Sequence, residues 1–116
     1  MNEQPLKEDV LNTLRVLSSK EDLTQRDLSA HLGVSLGKTN YLLKELIRGG
    51  LIKITNFAKG DQKLKKMGYV LTKEGFHVQL QLTHHFLEIK EREYTELKAE
   101  AEKVSNGMNG TLGGEE

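Results

Sequence analysis

The chain has 116 residues, 36% hydrophobic and 29% charged, the size and balance of one globular domain with a single small core. It contains no cysteine, which excludes disulfides, thiolate metal sites and thiol redox chemistry by this chain. Its net charge is zero, yet the charges are segregated: from Leu36 to Lys73 nine basic residues stand against Glu45 and Asp61, a local +7 that the rest of the chain balances with −7.

A neutral chain with one basic segment is the footprint of a phosphate-binding face, while the alternative is a hairpin whose lysines only keep it in solution. No basic-flanked apolar stretch opens the chain and nowhere do 18 apolar residues run together, so neither a signal peptide nor a membrane span is expected and the protein is read as cytoplasmic.

Met1 to Pro5 should fray, and a first helix is expected from about Leu6 to Ser18. Val10, Leu14 and Leu17 repeat at helical spacing there, with Leu11 widening the stripe. Lys20 to Asp22 connect it to a second helix, Gln25–Leu32. Thr24 and Asp27 are spaced for a variant capping box, and Leu23 and Leu28 for a hydrophobic staple. This helix should bury Leu28 and Leu32 and leave Gln25 and Arg26 outward at its positive end, where a phosphate oxygen is stabilised. Gly33 stands at the turn, Ser35 can cap a third helix over Leu36–Arg48, and Gly49 and Gly50 end it.

In the third helix Thr39, Leu43 and Leu46, helped by Leu42 and Ile47, should face the core. Leu36, Gly37, Lys38, Asn40, Tyr41 and Lys44 are left on the outer side. Gly37 in a first turn costs up to about 1 kcal/mol relative to alanine, and Lys38 sets a cation against the positive end of the dipole. DNA supplies a reason for both: a bare backbone permits close approach, and a lysine meets phosphate or guanine acceptors. Asn40 has the amide that pairs with an adenine edge, and Tyr41 can donate to a phosphate or lie against a thymine methyl. The alternative is a solvated amide and a half-buried ring.

Leu51–Phe57 and Met67–Leu71 carry β-branched and aromatic residues around a polar tract, AKGDQKLKK, and read as a β-hairpin with a long loop. Lys59, Lys63, Lys65 and Lys66 cluster in that loop, where they would reach the sugar-phosphate backbone or the adjacent minor groove.

The run TQRDLSAHLGVS, a second capped helix, GGLI entering a strand, and LTKEG at Leu71–Gly75 together resemble the winged helix-turn-helix regulators of the MarR type. Within that group the chain looks most like the regulators associated with exopolysaccharide gene clusters. The resemblance covers roughly Leu23 to Phe76. It implies a mainly α fold with a small β-hairpin wing plus a long C-terminal helix, and binding of double-stranded DNA.

Thr72 is a plausible N-cap for that last helix, Lys73 to about Val104, which would extend about 48 Å. Val78, Leu82, Phe86, Ile89, Tyr94, Leu97, Ala101 and Val104 form an apolar stripe, and Leu80, Leu87, Tyr94 and Ala101 recur at seven. Such a stripe predicts a symmetric homodimer, although Thr83 and Lys90 interrupt a strict heptad seam. The alternative is a helix folded back on the first one. Ser105–Glu116, with four glycines in twelve residues, is expected to be disordered. The predicted division is therefore residues 1–76 for DNA, 77–104 for dimerisation, and 105–116 as tail.

His77, His84, His85 and Glu88 lie along one side of the last helix, but ligands from a single helix rarely close a tetrahedral site, so no metal is expected. No nucleophile-base set, paired carboxylates or phosphate-cradling glycine loop is recognisable, so neither a cofactor nor an enzyme is expected. The sequence thus predicts a homodimeric, sequence-specific DNA-binding regulator. Its rivals are a winged-helix protein-interaction module, and a regulator with a ligand switch of the kind many MarR-type proteins have. Against the second stand a single long helix after the wing and a short N-terminal segment.

Overall fold

α1 (Lys7–Ser19) starts at Leu6 without a side-chain cap, and Glu8 and Asp9 in its first turn complement the positive end of its dipole instead. It buries Leu11, Leu14 and Leu17 together with Thr13, whose hydroxyl is satisfied by donating to the Asp9 carbonyl at 2.8 Å. The computed structural model describes residues 5–58 and 65–114.

α2 (Gln25–Leu32) is fixed by local chemistry. Thr24 Oγ1 accepts from the Asp27 N–H and Asp27 Oδ2 accepts from the Thr24 N–H, both at 3.1 Å, so the capping box is closed. Gly33 ends the helix at φ 67°, left-handed backbone that glycine adopts without a Cβ clash. Ser35 then caps α3 (Leu36–Arg48), its Oγ accepting from the Lys38 N–H at 3.1 Å. After α3 the reversal is made by Gly50 at φ 77°, while Gly49 keeps ordinary helical backbone.

β1 (Ile52–Ala58) and β2 (Lys65–Leu71) form a two-stranded antiparallel sheet in the register Ile52↔Leu71 to Ala58↔Lys65. Lys65 and Lys66 therefore belong to the strand and not to the loop, because ladder hydrogen bonds form through the backbone whatever the side chain is. Lys59 and Lys63 lie outside the described residues.

The core joins Leu14 and Leu17 of α1, Leu23, Leu28 of α2, Leu43 and Leu46 of α3, and Ile52, Tyr69 and Leu71 of the hairpin. Two glycines permit close approaches beside it. A Cβ on Gly68 would stand 2.6 Å from the Phe57 ring, and one on Gly75 would collide with the Leu51 carbonyl. Beside Gly75, Thr72 Oγ1 donates to the Gly50 carbonyl at 2.6 Å and accepts from the Gly75 N–H at 3.0 Å. One side chain thus caps α4 (Lys73–Gly114) and ties it to the end of α3.

The chain divides into two compact units, Met1–Thr83 and His84–Glu116. In the first, Val78 of α4 packs on the core of its own chain and Gln79 Nε2 donates to Ser18 Oγ at 3.0 Å. Val78, expected in the dimer stripe, is thus half-buried within its own chain, and half-buried Leu82 lines a cleft with Val10 and Leu51. In the second unit Phe86 and Ile89 are half-buried, and every residue from Lys90 to Gly110 is exposed. α4 continues past the expected end at Val104 to Gly114, so the segment read as a disordered tail is helical as far as that residue. It holds no proline, and a helix already nucleated gains one hydrogen bond for each residue it adds. No helix among the described residues is long and apolar enough to cross a membrane.

Candidate nucleic-acid interface

α3 buries Thr39, Leu42, Leu43 and Leu46, and at 3.6 residues per turn its opposite side centres on Gly37, Tyr41, Lys44 and Arg48, all exposed. Leu36 is exposed at the start of this side, as expected. Lys38 and Asn40 stand on opposite flanks, and Asn40 is half-buried rather than fully outward. Arg48, absent from the residues singled out in sequence, lies one turn beyond Lys44 and two beyond Tyr41; helical spacing alone would have found it. Its Nη1 is 3.1 Å from Glu45 Oε1, a surface pair one turn long.

Lys38 is not simply a cation set against a dipole. Its Nζ lies 3.2 Å from Asp9 Oδ2 of α1, with 45% of the lysine side chain still exposed. The electrostatic oddity of Lys38 therefore has an account within the fold. For Gly37 none exists: an added Cβ would meet only Ser35 Oγ, at 4.0 Å, so packing does not require glycine there.

Gln25, expected outward, is half-buried and spends its amide on the Leu36 carbonyl, 3.2 Å away, which joins the start of α2 to the start of α3. Arg26 is exposed beside it. The Ser35 hydroxyl is committed to its cap, and the Asp27 carboxylate occupies the positive end of α2, which lowers the attraction of that end for a phosphate.

Between α2, the start of α3 and β2 lies an open groove of 640 Å³ lined by Gln25, Arg26, Leu36, Lys66, Met67 and Tyr69 among others. Arg26 and Lys66 bring two cations to it, and Leu36 and Met67 bring exposed apolar surface, 43% and 52% accessible. Burial pushes the Tyr69 phenol up from its ordinary value, so the ring remains neutral at this wall. The arrangement offers separate positive charges for a polyanion and apolar patches for sugar or methyl groups, on elements held by closed caps. Among the described residues no group of three or more His, Cys, Asp and Glu is placed to hold a metal ion.

Residues 10–53 match the family model described as winged helix-turn-helix DNA-binding. The chain carries a winged helix-turn-helix. The fold recurs in a PadR-like transcriptional regulator from Bacillus cereus, at 19% identity over 76% of this chain and 89% of that one, with a TM-score of 0.68. It recurs in the PcaV transcriptional regulator from Streptomyces coelicolor, solved with its natural ligand, at 18% identity over 97% of this chain and 76% of that one, TM-score 0.67. The S. aureus MepR–DNA complex is similar at 22% identity over 91% of this chain and 77% of that one, TM-score 0.62. No curated protein matches the sequence. At these identities the likeness establishes a fold, with β1 and β2 as its wing.

Proposed function

We propose that the protein is a transcription regulator that binds double-stranded DNA as a homodimer, with α3 in the major groove and the wing on the neighbouring backbone or minor groove. The observation that carries the reading is the exposed face of Gly37, Tyr41, Lys44 and Arg48, continued at Leu36 by the groove that holds Arg26 and Lys66. Tyr41, Lys44 and Arg48 are the groove-facing set; Asn40 reads from one flank, and Lys38 meets phosphate on the other. Arg26 and the wing lysines, Lys59, Lys63, Lys65 and Lys66, take phosphates. Gln25 and Ser35 act by fixing the helix starts. The resemblance of residues 23–76 favours a regulator of the MarR type serving an exopolysaccharide gene cluster, and such work on chromosomal DNA places it in the cytoplasm.

Dimerisation is supported by the apolar stripe of α4. Leu80, Leu87, Tyr94, Ala101 and Met108 are spaced by seven and, with Leu97 and Val104, give an unbroken a/d pattern over residues 94–108. Leu87, Tyr94, Leu97, Val104 and Met108 are each about half exposed or more. An isologous contact of this stripe with its copy covers it in both chains.

The test is selection of bound duplexes from a random pool, followed by titration at low and moderate salt. We expect a palindromic site with half-site centres about 34–36 Å apart or a multiple of that, and genomic copies of it beside polysaccharide genes. Lys65→Ala should weaken binding to all sequences and reduce the salt slope by about 1. Binding that does not fall with salt would instead identify a protein-interaction module.

A further inference from the structure

The pair of Asp9 and Lys38 joins the first turn of α1 to the first turn of α3. The two charges have opposite relations to their helices. A carboxylate in a first turn is stabilised by the positive end of the dipole, and an ammonium there is disfavoured. Asp9 is therefore held in place by α1, and its charge offsets what Lys38 lacks on α3. A pair this accessible contributes little to folding. Its larger consequence falls on anything that approaches Lys38 with a negative charge.

A duplex phosphate near the start of α3 meets a lysine already 3.2 Å from a carboxylate. To use that lysine the phosphate must displace the carboxylate or accept its repulsion at short range. A lysine neutralised in this way contributes less than one released counterion to binding. The deficit weighs most on random sequence, because non-specific affinity is almost wholly electrostatic, whereas a cognate site adds base contacts that Asp9 does not touch.

Building on the DNA-binding reading above, we propose that Asp9 is an internal competitor for DNA phosphate at Lys38, a specificity-determining residue that suppresses binding to non-cognate duplex. It acts through Lys38 and needs no contact with a base. Nothing in the spacing of the α1 sequence indicates this role; it arises from the placement of two helix starts.

The experiment uses the full chain and a fluorescently labelled random-sequence duplex, titrated with wild type, Asp9→Asn, Asp9→Glu, Glu8→Gln, Lys38→Ala and the double variant Asp9→Asn/Lys38→Ala from low to moderate salt. The selected cognate duplex is titrated in parallel. Asp9→Asn should bind random duplex about three- to tenfold more tightly, with a salt slope steeper by up to about 1 and a smaller cognate-to-random ratio. Asp9→Glu should behave as wild type, since it keeps the charge. Glu8→Gln makes the same change in net charge one residue away and should gain less. In the Lys38→Ala background, Asp9→Asn should gain no more than Glu8→Gln does.

The proposal is overturned if Asp9→Asn binds no more tightly than Glu8→Gln, if its gain persists undiminished without Lys38, or if Asp9→Glu changes affinity as much as Asp9→Asn, which would indicate a packing role. Should wild type itself show no salt-dependent binding to either duplex, the DNA reading and this proposal fall together. If wild type binds and the Asp9 series is flat, only the competitor falls.

Discussion

The two units of the chain hold their helices by different means. In the first, α1, α2 and α3 share a core of fully buried leucines, and the starts of α2 and α3 are closed by side chains at 3.1 Å. In the second, α4 presents an exposed side chain at every residue from Lys90 to Gly110. A helix gains most of its stability from an amphipathic face packed on something else. The first unit has such packing within one chain; the second has an apolar face in a seven-residue rhythm, the face that the proposed homodimer would cover. On the proposed reading the first unit folds without a partner, while the order of the second depends on association and so on concentration.

Cutting each unit at its own apolar contact separates these two kinds of order. The largest effect is expected from Leu28→Ala. Leu28 is fully buried where α2 meets the core, and deleting a leucine side chain from such a site costs about 2–5 kcal/mol. For a domain this small that is a large part of its stability. Thermal unfolding followed by circular dichroism should move down steeply at every protein concentration. A shift confined to dilute samples would mean that the first unit, too, depends on association.

Leu97→Glu addresses the arm. It sets a charge within the 94–108 stripe, far in sequence from the core residues. Sedimentation should show dimer association weakened by more than tenfold, with the wild-type dependence of α4 helicity on concentration lost and the melting of the first unit nearly unchanged. A monomer in the wild type, or a dimer indifferent to this charge, would remove the homodimer reading.

What the sequence discloses follows the same division. The helix-turn-helix was legible because its signals are local: Thr24 with Asp27 and Ser35 with the Lys38 N–H act over three residues. The bounds expected for α2 and α3 are those observed. The strand ends were less legible, since Lys65 and Lys66 join the ladder through backbone groups that carry no side-chain signature. At the candidate interface the exposed side of α3 could be read from periodicity, but its electrostatic state could not. Asp9 reaches Lys38 only because α1 folds across α3, and the clamp from Thr72 to the Gly50 carbonyl spans 22 positions. Spacing alone puts Val78 in the stripe of α4, yet it packs on the core of its own chain, because periodicity does not say which neighbour covers a face.

The smallest effect is expected at the far end of α4. Gly107 and Gly110 lie in the helix with nothing within 4 Å of an added Cβ and without left-handed backbone. Alanine at each position removes no contact, and it favours the helix by about 1 kcal/mol through the lost backbone entropy of the unfolded chain. With Ser105–Gly114 already helical, Gly107→Ala/Gly110→Ala should leave mean ellipticity almost unchanged while slowing amide exchange over residues 105–110. A rise in ellipticity equal to several added turns would show that this end is unfolded in the wild type and that the helix closes near Val104. The measurement also bears on the larger contrast, because a helix end that gains from propensity alone is one that no tertiary contact is holding.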